Sequence, residues 1–382
     1  MWFTFLFAST ILSERFFKID VGIFQLSAGD AVILLTLPWM LTYTGKMPKW
    51  TSYLACGIFL SLLISMLLNG GNGLNSLVSV PLKLVGAGLV YYELSMLSRH
   101  SVWALVIGVI IAILSVNMVF FTGLGFFSQE IFNRNELFSY FLSFACVFLL
   151  LLRGRNASDK GFMRVALVLI IWLLMLATIV QSRQGMLCAV LLLALVTMYK
   201  INIKNFLPLS MAFVFVLGLL AKPILSVIDD ERFNRRIATI SEFDPQTRAD
   251  TYRLDNALYV INNFEKAPFF GKGATSFVKE GPYQKVVHNA YLTSLYETGI
   301  FGLFVLLICF VFMLRPLRNG WKNRRILPAS LVLPSFFMLA FFVQAFFIEV
   351  LAKAPFFIFV GCSAYLIKRQ NIFINSHEVA KK

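Results

Sequence analysis

The sequence predicts an all-α polytopic membrane protein of about twelve transmembrane helices, with one large external loop between the ninth and the tenth. Three observations carry that prediction. Of 382 residues, 59% are hydrophobic and only 14% charged, with 40 Phe, more apolar surface than a water-soluble chain can cover. Apolar runs approaching the ~20 residues that a hydrocarbon core requires recur along the chain. The Lys and Arg residues fall mainly into alternate connections, as they do when one set of loops is cytoplasmic.

In order, the runs are 2–17, 28–44, 51–68, 77–97, 101–122, 136–152, 163–180, 186–199, 205–221, 290–314, 327–347 and 350–367. Those at 2–17 and 186–199 are short and call for tilt or local thinning. The first, MWFTFLFASTILSER, lacks a basic leader and a small-residue cleavage site, which predicts a short first helix or an uncleaved anchor. One set of connections holds eighteen Lys and Arg, among them Arg153, Arg155, Arg315, Arg318, Arg324 and Arg325; the opposite short ones hold five: Arg15, Lys18, Arg134, Arg183 and Lys353. The richer set is therefore cytoplasmic, with both termini. The chain divides into nine spans over 1–221, an external cap over 222–289, three spans over 290–367 and a cytoplasmic tail over 368–382.

A net charge of +15 would suggest nucleic acid in a soluble protein. Here the positive-inside loops account for it, and no nucleic-acid partner is expected. The five cysteines, Cys56, Cys146, Cys188, Cys309 and Cys362, all lie in apolar runs without CxxC spacing. They read as reduced packing thiols, with neither a disulfide framework nor a zinc site.

The cap stands apart. Its 68 residues carry ten Lys and Arg against nine Asp and Glu. In ADTYRLDNALYVINN (249–263), apolar residues at 254, 257, 258 and 261 have helical spacing and predict a half-buried face. APFFGKG then breaks the helix with Pro268, Gly271 and Gly273.

His288 opens the tenth run. An imidazole at a helix start feels the positive end of the dipole, which favours its neutral form, and a neutral imidazole is a competent proton acceptor. In a straight helix, positions 288 and 299 share a face to within about 20°, so Leu292, Leu295, Gly299 and Gly302 lie beneath the histidine. Glycines on that stripe admit a second helix closely. Read from these residues alone, His288 is first an interface residue like Tyr291, and the glycines are ordinary packing. Glu297 falls on the opposite face.

The second feature is IVQSRQGML (179–187), two apolar runs joined by a turn that carries Arg183. A guanidinium there can hold a pyrophosphate through paired charge-assisted hydrogen bonds; alone it reads first as an arginine snorkelling at headgroup level. Lys83 and Glu93 lie within the fourth run, where charges are functional candidates, but they are about 80° off a common face. Arg134 follows the external turn 123–133. The cap adds Arg248 and Arg253, besides the charged run DDERFNRR (229–236). Asp20 and Asp30 bracket the first external connection without a DxD pattern. P-loop, Rossmann, HExxH and GxSxG motifs are absent.

His288-Asn289, nine residues, then Gly299-Ile300-Phe301-Gly302 resembles the H-[N/S/Q]-x9-G-x-x-[G/T/Y] pattern of the O-antigen ligase family. Ser182-Arg183-x-Gly185 resembles that family's arginine turn, and FNRNELFSYF (132–141) the segment before its sixth helix. The strong similarity covers roughly 165–315. It implies a metal-independent glycosyltransferase of the C type in the bacterial inner membrane, facing the periplasm. Such an enzyme moves a finished glycan from undecaprenyl pyrophosphate to a sugar hydroxyl of lipid A-core, or to a growing glycan, with inversion and no cofactor. The resemblance gives His288 the acceptor proton and Arg183 the departing pyrophosphate. Arg134, Arg248, Arg253, Lys83 and Asn289 are then the candidates for binding pyrophosphate or glycan.

The same family includes polymerases of O-antigen or exopolysaccharide repeat units. The short external turn 123–135, with a single Arg, favours the ligase. A transporter of the lipid-linked glycan would need a charged path, for which only Lys83, Glu93, Glu297 and Glu349 stand available, and no paired broken helices are evident.

Overall fold

The computed structural model describes residues 18–21, 24–27, 34–35, 48–69, 85–95, 103–104, 106–108, 134–152, 159–179, 182–200, 248–266, 269–274, 276–283, 289–346 and 354–379. Between the first two apolar runs lies a two-stranded antiparallel hairpin, β1 (Lys18–Val21) and β2 (Phe24–Ser27), with Asp20 opposite Gln25. Every other described element is helical. Asp30 lies outside the described residues, as do all of 2–17 and 205–221 and most of 28–44 and 101–122.

The helices are α1 (Lys49–Leu68), α2 (85–95), α3 (Arg134–Leu152), α4 (Asp159–Ile179), α5 (Arg183–Lys200), α6 (Arg248–Asn263), α7 (Ser276–Glu280), α8 (Ala290–Lys322), α9 (Ala329–Gln344) and α10 (Ala354–Val379). Among the described residues, three stretches are long and apolar enough to cross a membrane: Lys49–Leu68, Asp159–Ala177 and Ala290–Lys322. Phe138–Leu152, Gln184–Tyr199 and Ala329–Gln344 are shorter apolar helices.

Helix α9 is the hub, packed against α3, α4, α5, α8 and α10. Its sequence, ASLVLPSFFMLAFFVQ, is apolar all round, as a helix surrounded by other helices requires, and Phe336, Phe337, Met338 and Phe341 are wholly buried. Its first free amide, Ala329 N, donates to Asp159 Oδ1 at 3.0 Å, so α4 caps it.

Cross-helix bonds set the direction of each neighbour. Tyr199, late in α5, donates to Leu327 O just before α9, while Cys188, early in α5, donates to Ala340 O near the end of α9. Helix α5 therefore runs antiparallel to α9. At the start of α8, Ala290 N donates to Ala345 O at 2.9 Å, immediately after α9. Phe138, early in α3, lies against Gly185 at the start of α5, and Cys146, later in α3, donates to Pro334 O. The first turns of α3, α5 and α8 thus gather at the end of the bundle where α9 finishes.

Helix α10 continues twelve residues beyond the expected 350–367 run, through residues assigned above to a cytoplasmic tail. Most of the continuation is exposed, but Gln370 is wholly buried, and its Nε2 donates to Pro316 O and Leu331 O. Pro316, inside α8, frees the carbonyl four residues back, and Ser363 Oγ of α10 donates to that Phe312 O.

Candidate functional site

Helix α8 is not one helix. Gly299 has φ 69° and ψ −166°, a conformation open essentially to glycine alone. Two segments, 290–298 and 300–322, meet there at an elbow. Phe310 follows Tyr291 by 19 residues, which would put them about 28 Å apart along a straight helix. Their ring centroids are 5.8 Å apart, so the first segment turns back toward the middle of the second. Tyr291 is also 4.4 Å from the Phe346 ring, and its hydroxyl donates to Phe342 O.

The straight-helix expectation therefore fails. The stripe Leu292, Leu295, Gly299, Gly302 does not continue beneath position 288, and the glycines do not receive a second helix. Gly299 instead receives the cap loop Phe269–Gly273. A Cβ at Gly299 would lie 2.6 Å from Gly271 N, and one at Gly271, itself at φ 67°, would lie 2.5 Å from Glu297 O. The loop satisfies the groups that the break releases: Lys272 N donates to Tyr296 O at 2.9 Å, Gly273 N to Glu297 O at 3.0 Å, and Phe301 N to Phe269 O at 3.1 Å. Gly302 faces the end of the first segment, where a Cβ would collide with the Thr298 side chain.

Asn289 starts the first segment. Its Oδ1 accepts from Tyr291 N and Leu292 N, both at 3.0 Å, and satisfies two of the amides that a helix start leaves free. Asn289 is thus the N-cap of α8; a binding role is not needed to explain it. His288 immediately precedes it and lies outside the described residues.

At the second feature the turn is shorter than expected. It ends at Ser182, whose N–H donates to Ala177 O at 2.9 Å and whose carbonyl accepts from Met186 N at 3.1 Å. Arg183 is the first residue of α5, not the tip of a loop. Ser182 caps the helix, with Oγ accepting from Gly185 N at 3.3 Å. Gly185 is small because the Phe138 ring lies against it: a Cβ there would be 2.7 Å from Cε1. The four-residue pattern is thus a cap, a cation and a close helix approach.

Arg134 and Arg248 are likewise the first residues of α3 and α6, and Arg253 lies within α6. For Arg134, Arg183, Arg248 and Arg253 the backbone alone is described. Lys83, Glu349 and the run 229–236 lie outside the described residues. Glu93 is buried on α2, at 8% exposure. The structure brings Arg134, Arg183 and Asn289 to one end of the bundle by their backbone positions. Three helix starts there present their positive dipole ends, an arrangement suited to an anion.

The cap packs on the first segment of α8. Val260 of α6, Phe277 of α7 and Tyr296 of α8 form a small core, with Tyr259, Leu292 and Leu295 around it. Sequence periodicity chose the wrong face of α6: Leu258 and Ile261 are 46% and 58% exposed, while Asn256 and Val260 point inward. Tyr296 OH and Lys272 Nζ both donate to Glu280 Oε2 at 2.9 Å. Burial alone would raise the Glu280 carboxyl; the hydrogen bonds from Lys272 and Tyr296 and the charges of Lys272 and Lys266 outweigh it and hold it below its ordinary value. Sequence reasoning missed Ser65 and Asn69 of α1, which bond to Glu297 O and Gly271 O. The only available signal was the paired glycines of FFGKG, which announce a close backbone approach without saying to what.

No curated protein matches the chain. Residues 165–307 match the family model described as O-Antigen ligase, a stretch that runs from α4 into α8 and contains the arginine turn, the cap and the His288–Gly302 pattern. That match supports a likeness of this part of the chain to the O-antigen ligase superfamily.

Proposed function

We propose that the protein is an O-antigen ligase-like glycosyltransferase of the bacterial inner membrane. It transfers a polysaccharide from undecaprenyl pyrophosphate to a sugar hydroxyl of lipid A-core, at the periplasmic face and without metal. His288 takes the proton of the acceptor hydroxyl as its oxygen attacks the anomeric carbon. The bond from that carbon to the pyrophosphate oxygen breaks, the configuration inverts, and Arg183 binds the departing diphosphate. The donor already carries its leaving group, so the protein needs only to stabilise developing phosphate charge and accept one proton. Arg134 assists in holding the diphosphate, and Arg248, Arg253 and Lys83 remain candidates for the glycan or its phosphates.

The observation that carries this reading is the gathering of the α5 and α8 starts at one end of α9. They bear Arg183 and the residue after His288, and both lie inside the segment that matches the family. The test is transfer by purified protein from lipid-linked donor to lipid A-core, with chelator present and no nucleotide. His288→Ala is expected to lower the rate by about 10²–10⁴-fold, the usual worth of a general base, with the protein still folded. A wild-type rate in that variant would refute the role of His288. A deletion strain separates ligase from polymerase: long chains stranded on the lipid carrier mark the ligase, single repeat units on lipid A-core the polymerase.

A further inference from the structure

We infer that Ser65 and Asn69, at the end of α1, are positioning residues for the transfer: they latch the elbow of α8, and so fix the segment that begins directly after His288. The inference rests on the reading of His288 as the base. Both residues lie outside the stretch that matches the family.

The argument starts from the elbow. A helix broken among apolar helices must have its freed backbone groups paired inside the protein. The cap loop pairs Tyr296 O, Glu297 O and Phe301 N. Helix α1 then ties both partners together. Ser65, wholly buried, donates its hydroxyl to Glu297 O at 2.6 Å. A buried serine in a helix ordinarily bonds its own preceding turn, as Ser61 does to Ile58 O; Ser65 reaches across to α8. Asn69 Nδ2 donates to Gly271 O at 3.1 Å and to Ser65 O at 2.7 Å. Its Cβ lies where a Cβ at Gly273 would come within 3.1 Å, so the loop closes directly on it. One serine and one asparagine thus join α1, the cap loop and the elbow.

The orientation of 290–298 depends on this joint, because a single glycine links that segment to the rest of α8. Its other end is held by Ala345 O. Loosening the joint tilts the segment about that end, and a misplacement of about 1 Å at a catalytic group can cost roughly 10²-fold in rate.

The experiment measures transfer kinetics for Ser65→Ala, Asn69→Ala and the double variant in detergent-purified full-length protein. Each single change is expected to lower kcat about tenfold and to leave KM for the lipid donor within about twofold. The double variant is expected to be no more than about twofold slower than the slower single, because both changes open one joint. Ser65→Thr, which keeps the hydroxyl, restores most of kcat. Amide exchange at Lys272 and Gly273, read in parallel, accelerates in the Ala variants. An unchanged kcat, an effect confined to KM, or singles that multiply in the double would overturn the proposal. If His288→Ala keeps full activity, the reading of the base fails instead, and the exchange data still decide the joint.

Discussion

Gly299→Ala puts the elbow to its most direct test. At φ 69° and ψ −166° a residue with a Cβ is strained by about 1–3 kcal/mol. The new Cβ would also sit 2.6 Å from Gly271 N, too close for any non-bonded pair, and what it meets is backbone. The loop must retreat, and Lys272 N→Tyr296 O and Gly273 N→Glu297 O lengthen or break. At about 1 kcal/mol for each bond, the local loss sums to about 3–5 kcal/mol. With 1.4 kcal/mol to each tenfold step, exchange of the Lys272 and Gly273 amides should accelerate roughly 100- to 4,000-fold. Hydrogen exchange read by mass spectrometry on a peptide covering 269–274 measures this in nanodiscs. Gly57→Ala on α1 is the control. Its Cβ would rest 3.4 Å from Val305 Cγ1, an ordinary contact, and alanine is favoured over glycine in a helix by about 0.8–1 kcal/mol. If Gly299→Ala leaves the 269–274 exchange unchanged while Gly57→Ala behaves as expected, the loop does not hold the elbow and the reasoning is wrong.

Three further outcomes follow from other contacts. Gly185→Ala drives a methyl into the buried Phe138 ring; overpacking of this kind costs about 1–3 kcal/mol, read as a lower Tm in detergent, and a Tm equal to wild type would show that α3 and α5 can separate freely. Gln370→Leu removes the amide that donates to Pro316 O and Leu331 O, two hydrogen bonds of about 0.5–1.5 kcal/mol each; a wild-type Tm would mean those bonds add nothing to stability. The Glu280 carboxylate stabilises the cap because its pKa is lowered on folding, so that contribution is complete above the unfolded value of about 4.3 and is lost as pH falls through the lower folded value. Its side chain is 45% exposed, which limits the effect to about 1 kcal/mol; cap exchange should quicken below pH 4.3 in wild type and show no such step in Glu280→Gln.

How much of this was legible in the sequence differs from element to element. Helices α1, α3, α4, α5 and α9 follow the apolar runs closely, because burial against neighbours or lipid leaves an apolar helix no alternative. The Ser182–Gly185 pattern was visible, and its parts become intelligible only when Phe138, some 45 residues earlier, is seen against Gly185. The α8 break was invisible for a similar reason. Two glycines in an apolar run read as thinning for a helix partner, and nothing local distinguishes that from an elbow filled by a loop from 30 residues upstream. On α6 the apolar periodicity was real, yet it chose the outward face: Tyr259 supplies the inward contact through ring and hydroxyl together, reaching Phe277 and Glu280 O, where a count of aliphatic residues sees nothing. The helical continuation past 367 was not legible because its polar residues suggest solvent; one of them, Gln370, is buried and donates to Pro316 O and Leu331 O.

The elbow also settles an arithmetic difficulty in α8. Thirty-three residues would make a helix of about 50 Å, far beyond a hydrocarbon core of about 30 Å. The part after Gly299, residues 300–322, measures about 34 Å on the same rise and is long enough alone. Its outward face is apolar from the first turn: Ile300, Phe304, Leu307 and Val311 are 47%, 59%, 41% and 70% exposed. The part before Gly299 shows no exposed residue at all and is enclosed between the cap and the bundle. The candidate span therefore needs only the part from 300 onward, whose last turns carry Arg315, Arg318 and Lys322, and 290–298 is a short helix without an exposed residue. Single cysteines in liposomes distinguish these environments. A fluorophore on Phe304→Cys or Val311→Cys should be quenched by nitroxide lipids, whereas Thr293→Cys and Ser294→Cys, 6% and 1% exposed before substitution, should resist labelling until the protein is denatured. Strong labelling at 293 or 294 in the native protein, together with lipid quenching there, would mean that 290–298 continues the span after all, and the fold-back that brings Tyr291 to Phe310 would have to be abandoned.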